Sequence, residues 1–88
     1  MSSYFAEISV MLKPLVNDPQ GLAVRDGLHN LGFAGVQQVR IGKRIEITIE
    51  AESMNAAEQA VRAMCDKLLA NPVIESFEFE VRERTAAG

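Results

Sequence analysis

The stretch Val36-Gln37-Gln38-Val39-Arg40-Ile41-Gly42-Lys43-Arg44-Ile45-Glu46-Ile47-Thr48-Ile49-Glu50 decides the fold. It holds two runs of strand-forming residues, Val36 to Ile41 and Ile45 to Ile49, around a glycine-containing break at Gly42-Lys43-Arg44. A two-residue loop would pair Ile41 with Arg44 and set Val39 and Ile41 on the face opposite Ile45, Ile47 and Ile49. A three-residue loop pairs Ile41 with Ile45 and Val39 with Ile47. It keeps all five apolar side chains on one face, so a hairpin of this kind is expected. Glu46, Thr48 and Glu50 then face the other way.

Before the hairpin, Tyr4 to Leu12 alternates as a strand. Ala6, Ile8, Val10 and Leu12 share one face, and Phe5, Glu7, Ser9 and Met11 the other. Lys13-Pro14 ends its regular pairing, because proline has no N–H to donate. A helix then opens at Asn17-Asp18-Pro19, with Asp18 as cap and Pro19 in the first turn, and Gly32 after Leu31 stops it. Its apolar stripe is Val24, Leu28 and Leu31.

After the hairpin, a second helix starts near Ser53 to Asn55, with Asn55 and Glu58 spaced as a capping pair. Its stripe is Val61, Met64, Cys65 and Leu68, and Asn71-Pro72 ends it. A last strand runs from about Val73 to Arg82, where Phe77, Phe79 and Val81 alternate with Glu78, Glu80 and Arg82. The order βαββαβ, with right-handed crossovers, predicts an α+β ferredoxin-like sandwich: an antiparallel sheet with two helices on one face. The whole chain, residues 1–88, is then one domain, ordered over about 4–82 with a frayed tail at 83–88. The second sheet face is bare and carries Phe5, Met11 and, as a further candidate, Tyr4, so a second copy or another partner is expected to cover it.

Composition narrows the function. A chain of 88 residues buries only about 60 to 65% of its unfolded surface. One Cys and one His provide neither a disulfide nor a four-ligand zinc site, which points to another subunit as the stabilising element. A net charge of −3 disfavours nucleic acid and anionic membrane as partners. No apolar run is long enough to span a bilayer and no signal-like segment follows Met1, so a cytoplasmic setting is expected.

The side chains offer little chemistry. Cys65 lies on an apolar helix stripe with no His beside it and reads as a core residue. His29 lacks a clear orienting carboxylate. The pairs Glu46/Glu50 and Glu78/Glu80 share strand faces, as metal-binding acids do and as solvated strands do more often. Gly32-Phe33-Ala34-Gly35 lacks the Lys-Ser/Thr of a phosphate loop, and the strand Arg44 to Glu50 lacks the aromatics of an RNA-binding sheet. Asp18-Pro19-Gln20-Gly21 has a four-residue likeness to the effector loop of ACT-type regulatory modules. The remaining charge feature is a basic hairpin tip, Arg40, Lys43 and Arg44, against an acidic last strand with Glu75, Glu78, Glu80 and Glu83.

Five linear motifs, in order, carry a family resemblance: Lys13-Pro14; Asp18-Pro19-Gln20-Gly21; Leu31-Gly32-Phe33; Val39-Arg40-Ile41-Gly42-Lys43; and Met64 through Glu75 with Asn71-Pro72. Over roughly residues 6 to 81 the chain closely resembles PurS, the small subunit of phosphoribosylformylglycinamidine synthase. The resemblance implies a non-catalytic dimer or higher homo-oligomer that holds together a PurL-type synthetase subunit and a PurQ-type glutaminase subunit. ATP and Mg would bind on the large subunit, and this chain would hold no cofactor. Pro14, Asp18, Pro19, Gly21, Gly32, Gly42, Asn71 and Pro72 then shape loops and helix ends. Lys13, Arg40 and Lys43, whose charge a fold does not demand, are with Gln20 the candidates for subunit contacts, together with Phe5 and Met11 on the bare sheet face.

Overall fold

In a computed structural model, which describes residues 1–84, the elements are β1 (Ser2–Leu12), α1 (Pro19–Asn30), β2 (Gly42–Ala51), α2 (Met54–Met64) and β3 (Glu75–Glu83). A five-residue π-helical turn, Cys65–Leu69, continues α2. The strands form one antiparallel sheet in the order β2-β1-β3. Ile8 stands opposite Ile45 on one side and Phe79 on the other, so the alternating apolar residues of all three strands share a face. The α+β class and the antiparallel sheet follow the sequence pattern.

The expected hairpin does not form. Residues 36–41 are irregular, and Gly42-Lys43-Arg44 is the first part of β2 instead of a turn. Among the described residues the sheet therefore has three strands where four were expected. The physical reason lies at the entry to β2: Met11 pairs with Gly42 and Val10 with Lys43, so the would-be loop is already claimed by β1.

On the core face, Tyr4, Ala6, Ile8 and Val10 are buried against Ala57, Val61 and Cys65 of the α2 segment. Fully burying a side chain such as Ile8 or Val10 contributes about 1.5–3 kcal/mol. Tyr4 thus belongs to the core and not to the bare face. Ser53 caps α2, its Oγ accepting from the Ala56 amide at 3.1 Å, in place of the expected Asn55/Glu58 pair. The π turn closes with the Ala70 amide on the Cys65 carbonyl at 3.0 Å. That extra residue per turn rotates Leu68 out to 83% exposure and brings Leu69 against the core. Leu68 consequently leaves the predicted stripe.

Helix α1 forms as its local signals dictate: Pro19 in the first turn, Asp18 as cap, and Gly32 at φ +99° just past the end. It does not settle on the sheet, and Gly21 is its only buried residue. With residues 31–41 it makes an arm beyond the Leu12 end of β1. The radius of gyration is 17.0 Å, against about 12 Å for a compact chain of this length. β3 extends to Glu83, and the Arg84 amide donates to the Ser3 carbonyl at 2.8 Å. The rest of the expected frayed tail, residues 85–88, lies outside the described residues.

Candidate functional site

The motif residues converge where the arm meets the sheet. Asp18 is the hub. Its Oδ1 accepts from the Gly21 amide and its Oδ2 from the Ile41 amide, both at 2.9 Å. One carboxylate thereby caps α1 and ties the returning segment to it across 23 residues of sequence. These amides of Ile41 and Gly21 hold the Asp18 carboxyl below the ordinary aspartate range. Gly21 is required by close approach, since a Cβ there would lie 2.2 Å from the Val39 carbonyl oxygen. Gly42 is required likewise: a Cβ would lie 2.1 Å from Met11 Sδ and 2.5 Å from the Val10 carbonyl oxygen.

Arg40 donates to the Leu12 carbonyl at the end of β1. The fold therefore does use this charge, contrary to the sequence expectation, and Arg40 fastens the arm. The Lys13 amide donates to the Ile74 carbonyl at 2.8 Å, which brings the Asn71-Pro72 turn to the same end of the sheet. Within that turn, Asn71 Oδ1 accepts from the Val73 amide at 3.0 Å and Glu75 Oε1 from the Asn71 amide at 2.7 Å. Gln20 and Lys43 line one cleft of about 250 Å³ with Asp18 and Glu75. Lys13 lines another, of about 270 Å³, with Pro72 and Phe77. Five of the six contact candidates (Lys13, Gln20, Arg40, Lys43 and Met11) thus gather at one end, while Phe5 sits toward the other, opposite Thr48 and Arg82.

The polar sheet face has a centre that sequence reading did not single out. Glu7 opposes Glu46 and Glu80 across the sheet. It is compensated by Arg82 at 2.9 Å and Arg44 at 3.0 Å. The hydrogen bond from Arg82, together with the charges of both arginines, holds the Glu7 carboxyl below its usual range. Arg44, expected at a free basic tip, also pairs with Glu46 at 2.9 Å. The Arg82 guanidinium covers the Phe5 ring at 5.0 Å from its centroid. Strand register decides which charges meet on this face, so no local motif announces the cluster.

Among the described residues, Cys65 and His29 lie apart and neither sits in a catalytic arrangement. Cys65 is fully buried, and burial raises its thiol pKa, the opposite of what a nucleophile needs. His29 is exposed, with Nε2 2.7 Å from the Val36 carbonyl, where it braces the arm. No three or more His, Cys, Asp or Glu side chains among the described residues are placed to hold a metal. No helix among them is long and apolar enough to cross a membrane.

An α+β domain with its motif residues invested in backbone joins, and with open sheet edges among the described residues, presents surfaces of the kind that a subunit of a larger assembly offers. The chain matches the PurS family, phosphoribosylformylglycinamidine (FGAM) synthase, over residues 5–83, and it belongs to that family. A Synechocystis relative, the PurS subunit of FGAM synthase, is 54% identical over 79 residues, 90% of this chain and 79% of the relative. The Bacillus subtilis PurS structure superposes with a TM-score of 0.82 at 49% identity, covering 91% of this chain and 99% of that one. A chain of PurLQS from Thermotoga maritima superposes with a TM-score of 0.81 at 36% identity, covering 96% of this chain and 100% of that one.

Proposed function

We propose that the chain is the non-catalytic accessory subunit of a glutamine-dependent FGAM synthase in purine (IMP) biosynthesis, acting in the cytoplasm. It works as a homodimer or higher homo-oligomer that bridges a PurL-type synthetase subunit and a PurQ-type glutaminase subunit and supports ammonia transfer between them. The observation that carries this reading is the family match over residues 5–83, taken with the T. maritima relative solved within PurLQS.

In the overall reaction ATP, held with Mg by the large subunit, activates the amide oxygen of formylglycinamide ribonucleotide. Ammonia released from glutamine replaces that oxygen, leaving the amidine with glutamate, ADP and phosphate. This chain contributes surfaces to that sequence and no reacting group. Lys13, Gln20, Arg40 and Lys43, with Phe5 and Met11, are its candidate contacts. The ACT-type alternative is disfavoured by the Asp18–Gly21 loop itself: its carboxylate already binds two backbone amides, and Val39 fills the space over Gly21.

The test adds the purified chain to PurL-type and PurQ-type subunits and measures amidine formation with glutamine as nitrogen donor. Glutamine-dependent synthesis is expected only when all three are present. Equal synthesis without the chain, or failure of the three to associate with any combination of glutamine and nucleotide, would overturn the reading.

A further inference from the structure

A cleft of about 430 Å³ opens between helix α1, the loop that leads into it and the returning segment 38–40. Its size is that of a small-molecule site, about 300–1,000 Å³, and well beyond what an inorganic ion fills. Three elements supply its polar lining: Arg25 from α1, Gln38 and Arg40 from the returning segment, and Asn17 from the loop. Leu22 and Val39 give it an apolar wall.

The charges in this cleft do not balance. Asp18 is the one acid among its described lining residues, and its carboxylate is already used, accepting from the Gly21 and Ile41 amides. Arg40 is partly used, since it donates to the Leu12 carbonyl. Arg25 is the group left over. Its Nε is buried with no hydrogen-bond partner among the described residues. The one carboxylate within ion-pair reach, that of Asp26, is 3.8 Å away and 68% exposed. A buried donor without a partner is a standing cost to the fold, and an acceptor brought in from outside relieves it. The Arg25 side chain keeps 36% of its surface open, so a small turn of its guanidinium presents the fork to a ligand in the cleft.

We propose that this cleft binds a small organic phosphate monoester, with Arg25 and Arg40 on the phosphate and the organic body against Leu22 and Val39. Number and direction favour phosphate over carboxylate. A planar carboxylate is satisfied by one guanidinium fork through two parallel bonds. Two guanidiniums carried by different elements suit an anion with three terminal oxygens and a charge of about −1.5 to −2 at neutral pH. Asn17 and Gln38 offer side-chain amides to hydroxyls of the body, such as those of a sugar. Asp18 is a wall of this site and not its anchor. The site adds a ligand to the subunit reading and does not depend on it.

The test is ¹H–¹⁵N NMR on the full chain, which reads backbone amides, side-chain amides and arginine Nε–H groups. The probes are ribose 5-phosphate and AMP, with inorganic phosphate, ribose and glutamate for comparison. At least one of the two esters should give saturable shifts at the Nε–H groups of Arg25 and Arg40 and at the side-chain amides of Asn17 and Gln38. Ribose should give none, and inorganic phosphate and glutamate should bind more weakly than the ester. Arg25→Gln should weaken ester binding by about tenfold or more, the loss of a charge-assisted bond, with the rest of the amide spectrum in place. Saturation by neither ester overturns the site. Equal affinity for inorganic phosphate overturns the organic body, and equal affinity for glutamate overturns the choice of phosphate. Unchanged ester affinity in Arg25→Gln overturns the anchor and with it the proposal. None of these outcomes bears on glutamine-dependent synthesis by the three subunits, so the subunit reading stands or falls on its own test.

Discussion

The body of the molecule, β1 to β3 with α2, and the arm, α1 with residues 31–41, use their apolar side chains in opposite ways. In the body, Ala6, Ile8, Ala57, Val61 and Cys65 are completely buried. In the arm, Leu31 and Phe33 are 75% and 58% exposed, and polar joins at Asp18 and Arg40 fix its position while His29 braces it internally. Hydrophobic burial stabilises a region without directing it, whereas hydrogen bonds to single backbone atoms direct it and contribute little net stability. The body is built to be stable, and the arm is built to be placed.

The sharpest contrast comes from the body. Ile8→Ala removes a fully buried side chain between Ile45 and Phe79 and should cost about 2–5 kcal/mol in urea unfolding. An effect below about 1 kcal/mol would mean that the sheet–α2 contact is not the main core. Gly21→Ala forces a Cβ onto the Val39 carbonyl and should cost about 1–3 kcal/mol. Amide exchange locates that loss: Gly21 and Ile41 should lose protection while Ile8 and Val10 keep theirs.

Acid tests the same join without mutation. Asp18 has a folded pKa below its unfolded value, so the stability it contributes is in place above about pH 4. It declines as pH falls through the lower folded value. The protection factor at Ile41, the observed exchange rate corrected for the intrinsic pH dependence of amide exchange, should therefore fall on acidification in the wild type and stay constant over that range in Asp18→Ala. Glu7 is shifted in the same direction, so the Arg44 and Arg82 pairs on the sheet face should weaken over a similar range. The smallest effect belongs to Leu68→Ala, within about 0.5 kcal/mol, because the π turn has rotated Leu68 into solvent.

Local chemistry was legible in the sequence, and long-range geometry was not. The Asp18-Pro19 start and the Gly32 stop of α1 could be read because each depends on neighbours a turn away. Strand alternation gave the core face from Ala6 to Val10 for the same reason. The hairpin failed because Gly42-Lys43-Arg44 fits a turn and an extended entry to β2 alike, and the pairing with Val10 and Met11 decides between them. The structural role of Arg40 was missed because its partner, the Leu12 carbonyl, lies 28 residues away. Leu68 was misplaced because one extra residue in a helical turn changes phase without a sequence mark. At the site, the motif residues were found but their joint purpose was not: Asp18, Gly21, Arg40 and Gly42 lock one arm to one sheet end.

The central claim is that this chain acts through its surfaces, above all those of the arm. The direct measurement is amidine synthesis by the reconstituted three-subunit enzyme, with wild-type chain or with the double variant Val24→Lys, Leu31→Lys, whose folded body is verified by circular dichroism. Wild type should restore glutamine-dependent synthesis, and the variant should leave it near the level seen without the chain. Full restoration by a variant with an intact body would contradict the account.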